Sequence, residues 1–510
     1  MLLDSLRNSG ILSVDENSKI FSTPTGFTSI DLLGATIEMD MDGIEYLNRG
    51  LANKFYMNTG ESGLGKSTIK IQTSCYSVEW WNRRFPATEP SDLILIDSED
   101  FTTSNRVMDL SHWDADYMNR HLSLRKDNDL TSIYNLILKI ADMKAKNKDT
   151  YYVETNMRDV NGRPLKTWVP TFILIDSLAA IKAGAGLDSV EKDKNGEIKE
   201  MAISQNIDAM REAKDNTNFI MKVKPLCNEY GINISIINHI TKDNSMSMFD
   251  VPKRYLITLK PGEKLRGGYE LIYQAYGIDR LTLKERLTPD RNPVYGEGID
   301  GAIVEYTYLK SKNHGEGIPY RMVMDKREGY KPELSDFEYL YTQNYGFQGA
   351  GVGISLTILP EIKFSRKNLE EKCRQHPELA RALQFTAKML IVHTLLLDQK
   401  NGPSLDFIAE MDYDKRVAYI FAYTSRYPGY GTESISEELN KAITNGRKFV
   451  TTNDTFDISQ SFMTPYDILI ATAQSELSPA CIPIKSINKY ICPQDTKEDA
   501  FVVDELWGKF

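Results

Sequence analysis

Lys54 to Ile71 reads KFYMNTGESGLGKSTIKI. Gly60, Glu61, Ser62, Gly63, Leu64, Gly65, Lys66 and Ser67 satisfy the phosphate-loop pattern G-x-x-x-x-G-K-[ST] without a mismatch, and Thr68 follows directly. Glycine has no Cβ, so at Gly60, Gly63 and Gly65 the backbone can take tight, often left-handed turns that aim successive N–H groups inward. With the N-terminus of the following helix, those donors make a site for a triphosphate. Lys66 supplies a point charge for the β- and γ-phosphates, and Ser67 a hydroxyl ligand for Mg2+. Upstream, Phe55-Tyr56-Met57 is an apolar run suited to a buried strand; downstream, Ile69, Cys75, Val78 and Trp81 give a helix an apolar side. A glycine-rich turn can match by chance, but strand, glycine loop and helix is the setting the motif needs. The stretch is read as a nucleotide site.

The bulk of the chain agrees with a soluble multidomain protein. Its 510 residues are enough for two or more domains, and 41% hydrophobic with 26% charged content is that of a globular protein. The longest apolar runs are too short to span a bilayer, so no membrane partner is expected. The opening MLLDSLRNSG carries an early acid and no long apolar segment, which argues against a signal peptide. Five scattered cysteines without a C-x-x-C pair fit a reducing cytoplasm and argue against a zinc site or a disulfide framework. A net charge of −10 gives no support to a uniformly basic nucleic-acid coat but leaves room for a local basic surface.

Outward from the phosphate loop, short apolar strands alternate with helical patterns. Strands are expected at DLILID, ending in Asp97-Ser98-Glu99, at TFILID, ending in Asp176-Ser177, and at INISIIN, ending before His239. Further strands fall near residues 278–283, 303–310 and 320–324, and residues 105–150 are expected to be mostly helical. This alternation predicts an α/β fold, a mostly parallel sheet with helices on both faces. Two polar segments, about 182–200 and 241–268, are longer than ordinary connections and are read as functional loops. Residues 1–50 read as a lead-in, 51–345 as the core, and 346–510 as a separate, largely helical domain. In that domain Ser365 is placed to cap a helix and Pro377 to open one.

The strand ends carry the chemistry. Asp176 fits the acid that holds Mg2+ through water on the strand beside the loop. Glu99 lies where a general base for an attacking water would sit, with Asp97 as its competitor. His239 ends a strand from which a side chain can sense the γ-phosphate; a lone histidine there is otherwise a structural hydrogen-bonding residue.

Taken in order, TPTGFTSIDLLG, the phosphate loop, LILIDSED, TFILIDSLAA and INISIINHI resemble the RecA-type recombinases, and most closely the bacteriophage UvsX branch. The resemblance covers roughly residues 20–345 and implies a RecA-like P-loop ATPase core, with ATP and Mg2+ as cofactors. It places the catalytic glutamate on Glu99 and the metal-site acid on Asp176. The residue coupling ATP to the DNA loop falls on His239, where most bacterial members have Gln and the UvsX branch His. LKSKNH resembles the basic pair that reaches ATP on the neighbouring subunit, so Lys310 and Lys312 take that role. The two long loops correspond to the family's DNA-binding loops. The second carries Phe249, Lys253, Arg254, Lys264, Arg266, Gly267 and Gly268, and Arg211 with Lys214 resemble a basic helix near the first.

What the resemblance implies is a DNA-dependent ATPase that forms helical filaments on single-stranded DNA and exchanges strands with duplex DNA. Its partners would be single-stranded and double-stranded DNA, further copies of itself, and single-strand-binding or mediator proteins. The expected location is the cytoplasm, or a viral replication compartment if the chain is phage-encoded. Two other classes share these motifs: a RecA-fold hexameric helicase, and an ATP-binding structural protein without DNA-stimulated turnover. The chain departs from the family at residues 37–49 and 151–169, which look inserted or expanded, and in the acids Asp188, Glu191, Asp193 and Glu197 of the first loop.

Overall fold

The computed structural model describes residues 22–39, 45–48, 50–85, 88–127, 129–158, 164–178, 205–242, 254–267, 269–288, 300–312, 315–349, 353–396 and 404–422, with isolated residues around them (181, 295, 400, 402, 424, 427, 436–439, 441, 442 and 445). Its centre is a nine-stranded sheet. In chain order the strands are β1 (Phe55–Gly60), β2 (Asp92–Asp97), β3 (Leu122–Arg125), β4 (Thr171–Asp176) and β5 (Ile232–Ile237). They continue with β6 (Gly277–Leu287), β7 (Gly301–Ser311), β8 (Pro319–Asp325) and β9 (Gly329–Lys331). The spatial order is β9-β8-β7-β6-β1-β5-β4-β2-β3. From β3 to β6 all neighbours run parallel, and β7, β8 and β9 add on antiparallel. The fold class is therefore α/β, a large and mostly parallel sheet flanked by helices.

The period of two along a strand explains why both faces are covered. On β4, Ile173 and Ile175 pack with Ile133 and Ile137 of the Leu130–Lys146 helix and with Ile220 and Val223 of the Gln205–Tyr230 helix. Phe172 and Leu174 point the other way, to Cys75 and Val78 of the Lys66–Arg84 helix and to Val107 and Leu110 of the Ser104–Ser111 helix. Side-chain caps set where helices begin: Asp129 accepts from the Ser132 N–H at 2.9 Å, and Thr103 from Arg106 at 3.2 Å. Cys75, Cys227 and Cys373 are buried free thiols. No helix among the described residues is long and apolar enough to cross a membrane.

Residues 105–150 are mostly helical, as expected, with one edge strand among the helices: Leu122–Arg125 pairs with β2, Leu93 opposite Leu122. Its residues are partly exposed and form no apolar run, so pairing rather than hydrophobicity makes it a strand. The departures near 37–49 and 151–169 are antiparallel hairpin ladders, Thr36–Met39 with Glu45–Asn48 and Tyr152–Arg158 with Pro164–Trp168.

Packing is continuous across the boundary expected at residue 345. The described part of 346–510 opens with a three-stranded sheet (Phe347–Gln348, Ile354–Leu356 and Leu359–Phe364) before its helices Leu369–Gln375, Pro377–Ile391 and Tyr413–Ala422. Ser365 and Asn368 cap one another there, and Pro377 opens its helix, as expected. These elements share one hydrophobic core with the rest of the chain: Leu379, Leu383 and Ile420 pack in the same cluster as Phe27, Ile30, Tyr306, Tyr320 and Phe337. At its centre the buried Asp336 accepts hydrogen bonds from Thr28, Tyr320 and Tyr427. The lead-in joins it too, through the buried Thr28–Leu33 helix and the pairing of Ser22–Thr23 with Leu51–Ala52. The C-terminal segment is thus a layer on the core. Residues 1–21 and 446–510 lie outside the described residues.

Candidate nucleotide site and loop stems

β1 lies between β5 and β6 and delivers the phosphate loop to the carboxyl ends of the parallel strands, where open α/β sheets bind ligands. Gly65 caps the Lys66–Arg84 helix in the left-handed region, φ 69°, and a Cβ there would fall 2.5 Å from Met324 Sδ. At Gly60 a Cβ would meet the Leu281 carbonyl oxygen at 2.6 Å. Glu61, Ser62 and Gly63 are exposed at the crest, and Leu64 is buried below it with its carbonyl accepting from the Tyr330 hydroxyl at 2.6 Å. Lys66 folds back under the loop, where Nζ donates to the Gly60 carbonyl at 3.0 Å and to the Glu61 carbonyl at 2.8 Å. Burial pushes its ammonium below the ordinary lysine value, against the opposing pull of Asp176, Glu99 and Glu61. Thr68 is half-buried in the first turn.

The acidic residues come from two strands locked in register, Asp176 opposite Asp97. β4 is not the neighbour of β1, contrary to the sequence expectation, because β5 intervenes. Asp176 nonetheless reaches the loop and accepts a hydrogen bond from Ser67. Burial pushes its carboxyl up to about 6, the charges of Glu99 and Asp97 add to that, and Ser67 and Lys66 oppose it. Asp97 is used locally: its two oxygens accept the backbone N–H groups of Glu99 (3.1 Å) and Thr102, fixing the turn after β2. Glu99 is half-buried and accepts from the Ser177 hydroxyl. The charge of Glu99 acts on Lys66, Asp176 and His239 alike.

Two serines that the sequence reading left aside hold these acids in place. The Ser98 N–H donates to the Asp176 carbonyl at 2.7 Å and its hydroxyl to the Ser177 carbonyl at 2.8 Å, while the Ser177 N–H donates back to Ser98 Oγ at 2.9 Å. The available signal was the repeated Ile-Asp-Ser at 96–98 and 175–177.

His239 follows β5 and is half-buried. Burial lowers its pKa from the ordinary imidazole value, Lys66 and Arg266 lower it further, and Glu99 opposes. Its carbonyl accepts from the Arg266 N–H at 3.2 Å, and the buried Asn238 amide bridges the same two residues, accepting from the His239 N–H and donating to the Arg266 carbonyl, each at 2.8 Å. From there Ile240–Lys242 and Glu263–Leu265 form an antiparallel ladder, Thr241 opposite Lys264. The structure thus brings Lys264, Arg266 and Gly267 to the stem of the second long loop, directly beside His239. Arg254 is exposed farther out; Phe249, Lys253, Gly268 and the first loop, 182–200, lie outside the described residues. Lys214 is exposed on the Gln205–Tyr230 helix, which also contains Arg211.

Lys310 and Lys312 are not brought to this site. Gly277 of β6 pairs with Tyr56 near the start of β1 and with Ser311, so both lysines lie at the opposite end of the sheet, roughly 15 Å of strand from Gly60. Lys310 Nζ donates to the carbonyls of Ile272 (2.5 Å) and Tyr273 (2.9 Å), capping the Tyr269–Gln274 helix. Lys312 is exposed.

No protein-family model matches the chain, and no curated protein is similar enough to it to count as a match.

Proposed function

We propose that the chain is a DNA-dependent ATPase of the RecA type, nearest the UvsX branch, which polymerises on single-stranded DNA and promotes strand exchange. The observation that carries this reading is the convergence, at one end of the sheet, of Lys66, Ser67, Asp176, Glu99 and His239, drawn from four strand ends. Ser67 and Asp176 offer hard oxygen donors, which suit Mg2+ coordinated partly through water. Bound there, the ion would neutralise charge developing on the phosphates. Lys66 would leave the Gly60 and Glu61 carbonyls for the phosphate oxygens. Glu99, oriented by Ser177, takes a proton from the attacking water.

His239 supports coupling to DNA, because its own carbonyl is a hydrogen-bonded member of the second loop's stem. A change in its position with nucleotide state is passed to Arg266 and Lys264, cations suited to a phosphate backbone. The far end of the sheet supports assembly. Its lysines cannot reach the chain's own loop, where Asp176, Glu99 and Glu61 surround Lys66. A head-to-tail contact between these unlike ends is heterologous and builds a helical filament with ATP between copies.

ATP hydrolysis measured with and without single-stranded DNA, on the intact chain and on Glu99→Gln, with electron microscopy of the same samples, tests the reading. DNA should stimulate turnover, Glu99→Gln should lower it by about a hundredfold or more, and helical filaments should form on DNA. ATP binding with no response to DNA and no filaments would overturn it.

A further inference from the structure

Beneath the phosphate loop lies a buried acid for which the chemistry above has no use. Asp279 is on β6, opposite Asn58 of β1. The register between β6 and β7 shifts between Ile278 and Asp279, an irregularity of the kind that re-aims a side chain within a sheet. Asp279 Oδ2 accepts from Lys70 Nζ at 2.7 Å and from the Tyr306 hydroxyl at 3.1 Å, while Oδ1 accepts from the Asn58 amide. The Asp279 carbonyl accepts from the Thr59 hydroxyl at 2.7 Å. Asn58 and Thr59 immediately precede Gly60, and Lys70 lies about one helical turn beyond Lys66. A single residue thus holds both arms of the loop, the strand that enters it and the helix that leaves it.

Stability alone is a poor reason for this arrangement. Lys70 and Asp279 are each 1% exposed, and a buried ion pair is often no more stable than an apolar pair of similar volume. What the pair adds is direction, since charge-assisted hydrogen bonds are short and geometrically demanding. Lys70 meets Oδ2 only when the first turn of its helix sits at one height against β1. That height sets where the N–H groups at the helix start point, and those are the donors for an anion.

We propose that Asp279, acting through Lys70 on one arm and through Asn58 and Thr59 on the other, is a positioning residue for the phosphate loop. It holds the loop in its anion-accepting shape before any ligand arrives and does not itself touch the ligand. Preorganisation of this kind raises affinity by lowering the ordering cost of binding. The proposal rests on the nucleotide-site reading for the identity of the ligand, but not for the clamp itself.

The test uses the full chain and the double variant Lys70→Met/Asp279→Asn. This pair of changes cuts the tie to the helix, leaves no unpaired charge in the interior, and keeps a side-chain acceptor for Asn58 and Tyr306. Val223→Ala is the control, a buried truncation on the other face of the sheet that costs stability without touching the clamp. Calorimetric titration with ATP and Mg2+, and separately with tripolyphosphate, reads affinity; amide exchange of the ligand-free chain over residues 58–70 reads the loop arms. The double variant should bind both ligands more weakly by about tenfold or more, by the same factor for each because the defect lies at the phosphates, and its loop arms should exchange faster. Val223→Ala should keep the parent's affinity. Parental affinity in the double variant overturns the proposal, and so does an equal loss in Val223→Ala, which would assign the effect to stability. Should the parent bind neither ligand, the nucleotide reading fails and exchange alone decides: faster exchange confined to the loop arms upholds the clamp, and unchanged exchange overturns it.

Discussion

At Asp176 the needs of a metal site and of folding oppose each other. Burial raises its carboxyl from 3.8 to about 6, so the folded protein holds the proton more tightly than the unfolded chain does. A carboxyl shifted upward favours the fold below its unfolded pKa, and that advantage disappears as pH rises through the folded pKa. Above about pH 6 the ionised acid destabilises the fold by up to about 3 kcal/mol, at roughly 1.4 kcal/mol per pH unit. Asp176→Asn keeps an acceptor for Ser67 and removes the charge. Thermal melts without Mg2+ or nucleotide should show the variant more stable at about pH 8, with the gain gone below about pH 4. The same variant should lose Mg2+-dependent turnover, and in the native protein Mg2+ affinity should fall below about pH 6, where protons compete for the carboxylate. A variant no more stable than the parent at high pH would show that Asp176 is not strained by its surroundings. The positions of Lys66 and Ser67 at the start of a helix after a glycine loop, and of Glu99 and Asp176 at or just beyond strand ends, were legible because each lies within a local motif. Ser98 and Ser177 were not, because their partnership depends on the register of two strands far apart in the chain.

The supporting element beneath the phosphate loop is the β8–β9 hairpin. Met324 packs under Gly65, and Tyr330 reaches the Leu64 carbonyl, while the Tyr330 N–H is fixed by Gln72 Oε1 at 2.8 Å. Removing the phenolic hydroxyl leaves a buried carbonyl without that donor, a loss of about 1–2 kcal/mol. That loss falls on the loop's resting shape and not on the reacting groups. Tyr330→Phe should therefore raise the KM for ATP roughly five- to thirtyfold, as about 1–2 kcal/mol of positioning is lost, with little change in kcat. Steady-state kinetics separate the two parameters, and an equal fall in kcat would place Tyr330 in the chemistry instead. Nothing in the local sequence marks this hairpin. Tyr320–Met324 reads as a strand from its apolar character, but its place under the loop follows from antiparallel additions at one side of a parallel sheet. The second loop was legible from its length and polarity. Its paired stem was not, because Ile240–Lys242 and Glu263–Leu265 are three-residue strands separated by a long polar stretch.

At the scale of the molecule, composition suggested a break near residue 345 that packing does not support. The glycine-rich stretch at 349–353 and the change to helical patterning look like a linker and a new domain. Yet an amphipathic helix reveals only that it has an apolar face, not which surface covers it. Here the Pro377–Ile391 helix is buried along its whole length, and its Leu383 belongs to the same core cluster as Leu64 of the phosphate loop and Ile69 of the following helix. The C-terminal layer and the nucleotide site should consequently unfold together. Leu383→Ala removes a fully buried side chain and should cost about 2–5 kcal/mol. Calorimetry of the native chain should show the described core melting in one transition, and Leu383→Ala should shift that transition as a whole. ATP should protect the variant's C-terminal layer as well as its phosphate loop, since a ligand that binds the folded state stabilises everything that folds with it. Two transitions, with only the one unaffected by ATP moved by Leu383→Ala, would restore the independent domain and remove the C-terminal layer from any part in holding the phosphate loop.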